Sequence, residues 1–274
     1  MRARRRFGQH FLEPVWQRKV VDVIAPAPGD RFLEIGPGRG ALTLALAGRG
    51  AEVVGVEVDR DLAAELAERG VAGVRVVCAD VLEVDLCALV REMASAGGGA
   101  GAPRRMRVAA NLPYNISSPV LFRLIEVARS TGLVDDATLM LQREVAVRVA
   151  ASPGGGDYGP LSVMTQLSAD VELVLALPPG AFRPPPKVQS AVIRLRFRPP
   201  PVEIADLPRF DAMVRGLFTR RRKTLLNALR ACTGPGGLDL TAVLERAGLD
   251  GRRRPETLTL AELALLASQL SPAR

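Results

Sequence analysis

Arg31-Phe32-Leu33-Glu34-Ile35-Gly36-Pro37-Gly38-Arg39-Gly40, followed by Ala41-Leu42-Thr43-Leu44-Ala45-Leu46-Ala47, decides the fold. A short apolar run closed by Gly and Pro reads as a buried strand over 31–35. The Ala and Leu after Gly40 are strong helix formers and predict a helix over 41–47. Strand, glycine turn and helix in this order open a doubly wound α/β sheet, whose ligands sit outside the carboxyl ends of the strands. Working outward, strands are predicted at 52–58, 74–79, 106–110 and 137–142, alternating with helices at 15–24, 61–69, 86–94, 118–129 and 144–150. Alternation of this kind implies a mostly parallel sheet. A helix at 161–168 and strands at 171–177 and 191–197 complete a first domain over 1–198. Gly97 to Gly101 and Gly154 to Gly156 read as loops, and Pro199-Pro200-Pro201 as the domain boundary. Beyond it only helical patterns remain, at 208–219, 221–231, 240–247 and 260–270, so 199–274 is expected to be a small all-helical domain.

Bulk properties narrow the function. Hydrophobic content of 48% argues against disorder, and aromatic content of 4% argues against an RNA-binding sheet built on several stacking rings. A net charge of +8 implies a polyanionic partner. Choosing Arg over Lys is not itself a phosphate signal, because Lys occurs only at Lys19, Lys187 and Lys223, a bias that looks like GC-rich coding. Cys78, Cys87 and Cys232 form no C-x-x-C pair, which implies a reducing compartment with neither metal site nor disulfide framework. The basic start Met1 to Arg6 lacks a following apolar core, and no stretch approaches a membrane span, so the expected location is cytoplasmic.

Three successive strand ends present Gly36, Glu57 and Asp80 to one crevice. Ala41 stands where a dinucleotide motif has its third Gly, so loop spacing alone leaves NAD open. Pro37 removes one loop N–H, which suits a ligand with no pyrophosphate. A carboxylate at Glu57 can accept both ribose hydroxyls, and one at Asp80 can accept from an adenine amino group. Gly36, Gly38, Glu57 and Asp80 together point to S-adenosylmethionine.

Asn111-Leu112-Pro113-Tyr114 closes the fourth of these strands. The Asn111 side-chain oxygen and the Leu112 carbonyl are two acceptors that can hold an exocyclic amino group of a flat heterocycle. Pro113 fixes its own φ and pushes Leu112 out of the helical region, which aims that carbonyl. Tyr114 offers a face on which the base can stack.

These blocks resemble the bacterial small-subunit (16S) ribosomal RNA adenine N6,N6-dimethyltransferases. The resemblance runs through Phe7-Gly8-Gln9-His10-Phe11-Leu12, Glu34-Ile35-Gly36-Pro37-Gly38 and Asn111-Leu112-Pro113-Tyr114-Asn115-Ile116-Ser117-Ser118-Pro119. It continues in Leu141-Gln142-Arg143-Glu144-Val145, Tyr158-Gly159-Pro160-Leu161-Ser162-Val163 and Phe182-Arg183-Pro184-Pro185-Pro186-Lys187-Val188. It implies a Rossmann-like S-adenosylmethionine-dependent methyltransferase that dimethylates two adjacent adenosines in the 3′-terminal hairpin of 16S rRNA, within the small subunit or its precursor, as a monomer. It places His10 and Leu12 over the cofactor, with Asn111, and Phe182 opposite Tyr114 as the other half of a base clamp. His10 stands where family members often have Asn. Arg220-Arg221-Arg222-Lys223, predicted to open a helix, is the expected RNA-binding cluster, with Arg252 to Arg254 and Arg2 to Arg6 as further basic groups. Rival readings are a 23S rRNA dimethyltransferase of the macrolide-resistance type, an assembly factor without catalysis, and a nucleotide-dependent oxidoreductase.

Overall fold

The computed structural model describes residues 10–96, 105–233 and 238–270. The glycine loop at 97–101 and the basic residues 2–6 lie outside the described residues. The described chain begins with strand β1 (Phe11–Leu12) and helix α1 (Pro14–Ile24). Then come β2 (Arg31–Ile35), α2 (Ala41–Ala47), β3 (Glu52–Glu57), α3 (Arg60–Glu68), β4 (Val74–Cys78) and α4 (Leu86–Ser95). They are followed by β5 (Met106–Asn111), α5 (Ser117–Thr131), β6 (Val134–Gln142), α6 (Arg143–Ala150) and α7 (Pro160–Gln166). Strands β7 (Ala169–Leu177), β8 (Phe182–Arg183) and β9 (Ser190–Phe197) precede α8 (Leu207–Thr219), α9 (Leu225–Thr233), α10 (Leu240–Arg246) and α11 (Leu260–Leu270).

Seven strands form one sheet in the order β4-β3-β2-β5-β6-β9-β7. The pairs β3–β4, β2–β3, β2–β5 and β5–β6 are parallel, and β9 runs antiparallel to β6. Strand β2 is buried at every position, its charged Arg31 and Glu34 included, because both sheet faces are covered. Asp59 and Asp85 cap α3 and α4 with their carboxylates, and each helix turns a leucine-rich face inward. The chain order reverses between β2 and β5, which makes that gap the ligand crevice. At the other end of β5, Arg107 braces the sheet by pairing with Asp30 and Asp136.

The chain forms two compact units, one reaching to Ala146 and including Asp170–Arg198, the other comprising Val147–Ala169 and the part from Pro199 onward. Sequence reasoning puts residues 147–169 in the first domain; the structure packs them in the second unit. Tyr158, Val163 and Leu167 share a buried cluster with Phe210, Leu217 and Leu229, so α7 gets its apolar cover from the C-terminal helices. A second correction concerns Arg220 to Lys223. They do not open a helix: the Lys223 N–H donates to the Arg220 carbonyl in a turn, and α9 starts only at Leu225. Among the described residues no helix is long and apolar enough to cross a membrane.

Candidate active site

A cleft of about 240 Å³ opens outside the carboxyl ends of β2, β3, β4 and β5. Gly36 turns into it with φ +68° and nothing within 4 Å of the place a Cβ would take. A side chain there would fill the cavity and strain the backbone. Pro37 rests on β3, where a Cβ at Gly55 would stand 2.9 Å from the proline ring. That close packing holds the loop down. Glu57 is 5% exposed, and its two oxygens accept from the N–H groups of Gly38 (2.8 Å) and Asp59 (2.9 Å). Each oxygen keeps a second lone pair. Asp80 sits two residues past β4 and accepts the Leu82 N–H on one oxygen at 2.8 Å. Leu12 also lines the cleft, and Phe11 covers Gly38, with the Arg39 guanidinium over its ring.

Glu34, which sequence reasoning left as part of a strand, is a member of this site. It is 2% exposed, and its Oε2 has no hydrogen-bond partner. Burial first, and then the like charge of Glu57, push its pKa up to about 7, with only partial relief from Thr43. The signal in the sequence was a carboxylate flanked by Phe32, Leu33 and Ile35 in a strand expected to be buried, which costs free energy unless something uses it.

The Asn111 turn has a defined polarity. Its Nδ2 donates to the His10 carbonyl at 2.9 Å, so Oδ1 is the end left to accept from a ligand. The Leu112 N–H donates to Met140 at 3.3 Å, the Leu112 side chain is buried, and its carbonyl has no protein donor among the described residues. Tyr114 is held by a 2.6 Å hydrogen bond between its hydroxyl and Ser190, and burial raises its pKa. The His10 ring stacks on Tyr114, centroids 5.7 Å apart and planes at 26°, and donates through Nδ1 to the Pro184 carbonyl at 2.8 Å. Ser190 escaped sequence reasoning because a lone serine at a strand start has no pattern.

The resemblance sets Phe182 opposite Tyr114 as the other half of a base clamp. It is 3% exposed, pairs with Leu12 in the β1–β8 ribbon, and packs in a core cluster with Val20, Ile24 and Phe32. It does not line the cleft. Neighbouring strand residues point to opposite faces, so Phe182 turns inward and the Arg183 side chain is 84% exposed.

In the second unit Arg220, Arg221, Arg222 and Lys223 are all exposed, and only Arg221 is tied down, to the Gly156 carbonyl. Among the described residues none of the four is in an ion pair. The 252–254 cluster differs: Arg253 pairs with Glu262, Arg252 with Asp250, and Arg254 approaches Glu256. Of the three, Arg253 is the part-buried one, whereas the Arg252 side chain stays 90% exposed. Among the described residues no group of His, Cys, Asp and Glu could hold a metal ion.

A family model for ribosomal RNA adenine dimethylase matches residues 1–265. The chain belongs to the ribosomal RNA adenine dimethylase family. Two full-length relatives share the name Ribosomal RNA small subunit methyltransferase A. The chain is 43% identical to that of Pseudomonas fluorescens, over 98% of this chain and 94% of the relative. It is 45% identical to that of Anaeromyxobacter dehalogenans, over 97% and 93%. Among solved structures it resembles a dimethyladenosine transferase from Plasmodium falciparum (TM-score 0.74, 25% identity, 94% and 96% covered). It also resembles the 23S rRNA methyltransferase ErmE (TM-score 0.65, 28% identity, 95% and 99% covered). The family fold therefore spans both rRNA targets, and the cited full-length relatives carry the small-subunit name.

Proposed function

We propose that this protein transfers methyl groups from S-adenosylmethionine to N6 of two adjacent adenosines in the 3′-terminal hairpin of 16S rRNA, two methyls per base, as a monomer in the cytoplasm during small-subunit biogenesis. The observation that carries this reading is the Asn111 amide. Its nitrogen is engaged by the His10 carbonyl, which leaves Oδ1 to accept, and Asn111 and Leu112 both line the cleft.

The cleft residues fit the cofactor. Gly36 leaves room beside its backbone, Glu57 and Asp80 keep lone pairs for hydroxyl and amino groups, and Glu34 has a free oxygen beneath them. Several carboxyl groups suit a cationic ligand. Gly36, Gly38, Glu57 and Asp80, with Leu12 and Asn111, would hold it; His10 contributes its backbone through Asn111. When bound, S-adenosylmethionine would supply a methyl group activated by its sulfonium and leave as S-adenosylhomocysteine.

The protein's task is to make adenine N6 nucleophilic and to aim it. In free adenine the N6 lone pair is delocalised into the ring. Asn111 Oδ1 and the Leu112 carbonyl take the two amino hydrogens out of the ring plane, which returns the lone pair to nitrogen. Pro113 holds the turn and Tyr114 stacks the base, a contact worth roughly 1–3 kcal/mol. Catalysis then rests on positioning, and the methylated nitrogen loses its proton to water. Arg220, Arg221, Arg222 and Lys223 contact phosphates, which positions the RNA without reading its sequence. Unstacking of the target is cheapest in a hairpin loop.

The test is tritiated S-adenosylmethionine with unmethylated small subunits, naked 16S rRNA and 23S rRNA in parallel, followed by nucleoside separation. N6,N6-dimethyladenosine from small subunits supports the proposal. Label in 23S rRNA would assign the protein to the other branch, and no label despite bound cofactor would leave an assembly factor.

A further inference from the structure

We infer that Glu34 couples cofactor binding to proton release: its carboxyl is protonated in the cofactor-free protein and gives that proton to solvent when the cationic cofactor binds. This rests on the S-adenosylmethionine reading above. The Glu34 side chain is 2% exposed, lines the cleft, and has its Oε2 without a hydrogen-bond partner. A buried carboxyl in a cavity wall, with one oxygen unused, is a group waiting for a partner.

The charges around Glu34 decide its state. Its neighbours across the sheet, Gly55 in β3 and Ala109 in β5, carry no charge. Thr43 on α2 gives partial relief, and the nearby charge from β3 is Glu57, of the same sign. The cleft adds Asp80 beyond β4 and the uncharged Gln17 from α1. Its basic residues are Arg39, whose guanidinium lies over the Phe11 ring, and His10, tied to the Pro184 carbonyl. Neither acts on Glu34, whose pKa of about 7 answers to burial, Glu57 and Thr43. Among the described residues, then, no cation pairs with it. Staying neutral avoids burying a lone charge.

S-adenosylmethionine carries a sulfonium and an ammonium against one carboxylate. Its arrival supplies the missing cation and displaces water, which strengthens the attraction. A cation at about 4–6 Å lowers a carboxyl pKa by roughly 1–3. Glu34 then ionises and its proton passes to the buffer, with no covalent change elsewhere. The protonated form binds less well, so affinity falls as pH drops through about 7. Binding near pH 6 should release about 0.4–0.9 proton, and affinity should rise about five- to tenfold between pH 6 and pH 8. The alternative is that Glu34 keeps its proton throughout and serves only the packing of β2.

Calorimetry of S-adenosylmethionine binding to the full-length protein near pH 6, in buffers of different ionisation enthalpy, counts the protons released. Glu34→Gln is measured alongside. The cofactor's own α-amino group, ordinarily at about 7.7–8.0, titrates alike with both proteins, so the difference isolates Glu34. The wild type should release about 0.4–0.9 proton more than the variant, and the variant should lack the extra tightening toward pH 8. Equal proton counts would overturn the inference. Infrared difference spectra of the wild type, with and without cofactor near pH 6, give a reading that needs no variant. Loss of a protonated-carboxyl band supports the inference, and persistence of that band overturns it. Cofactor binding without proton release sinks only the coupling. A wild type that binds no S-adenosylmethionine sinks the cofactor reading and the coupling with it.

Discussion

Replacing Glu34 by Gln should remove a pH dependence from the stability of the first unit. Glu34 lies in β2 at 2% exposure, with burial first and Glu57 second pushing its pKa to about 7 from an ordinary 4.5. Below 4.5 the carboxyl is protonated in both the folded and the unfolded chain, and it costs nothing as a charge. As pH rises further, the unfolded chain releases the proton first and the folded chain resists. Stability then falls by about 1.4 kcal/mol per pH unit until the folded group ionises. Over the interval between those two values the loss is about 3 kcal/mol, and beyond about pH 7 it stays constant. Gln has no proton to lose, so Glu34→Gln should gain on the wild type by that amount between low and neutral pH. The packing cost of the amide enters at both ends and cancels. Urea unfolding of both proteins without cofactor, near pH 5 and near pH 8, measures it. The chain has a single tryptophan, Trp16 in α1, so its fluorescence reports the first unit rather than the C-terminal helices. A gap between wild type and variant that stays constant to about 0.5 kcal/mol across this range would refute the raised pKa.

Asn111→Ala should lower turnover by about 10²–10³, the usual cost of losing one preorganised transition-state hydrogen bond, with cofactor binding little changed in calorimetry; unchanged turnover removes Asn111 from the mechanism. Glu57→Ala removes the anchor of the Gly38 N–H together with the hydroxyl acceptor, so calorimetry should show cofactor affinity lost about a hundredfold, two charge-assisted hydrogen bonds' worth. Glu262 behaves oppositely to Glu34. Its hydrogen bond with Arg253 holds its pKa down to about 2, so it stabilises the second unit above pH 4.5, and that stability is lost as pH falls through about 2. Glu262→Gln should cost about 1 kcal/mol at pH 7 and nothing in strong acid, read by thermal melts at both pH values; an equal loss at both would contradict it. Charge removal at Arg220, Arg222 and Lys223 together should weaken rRNA binding and flatten its salt dependence by roughly 0.7–0.9 per lost phosphate contact. A filter-binding slope identical to wild type would place the RNA elsewhere.

Most elements with local signals were legible to within a residue or two, although β6 starts at Val134 instead of 137 and α9 at Leu225 instead of 221. The strand Arg31–Ile35, the helix Ala41–Ala47 and the last helix Leu260–Leu270 have the bounds their sequence predicts, because apolar period, glycine breaks and helix formers all act within a few neighbours. The crevice was legible for the same reason. Gly36, Glu57, Asp80 and Asn111 each end or follow a strand, and a parallel sheet brings strand ends to one edge. By contrast, β1 and β8 are two residues each and lie about 170 positions apart, too short for any periodicity to announce them. Their pairing decides that Phe182 turns into the core and that His10 lies on Tyr114. The move of α7 into the second unit has a similar cause, since its apolar face says only that it needs a cover and not which helices supply it.

The amino-acid sequence by itself thus determined the doubly wound sheet, the edge on which its strand ends converge and the turn that closes β5, all of them written in short-range pattern. Tertiary structure alone decided which ring faces Tyr114, which end of the Asn111 amide is free to accept, which arginines pair with acids, and that Glu34 lies buried at the cleft with its pKa pushed up. Those properties depend on distance, burial and register between residues far apart in the chain, and a linear pattern holds no record of them.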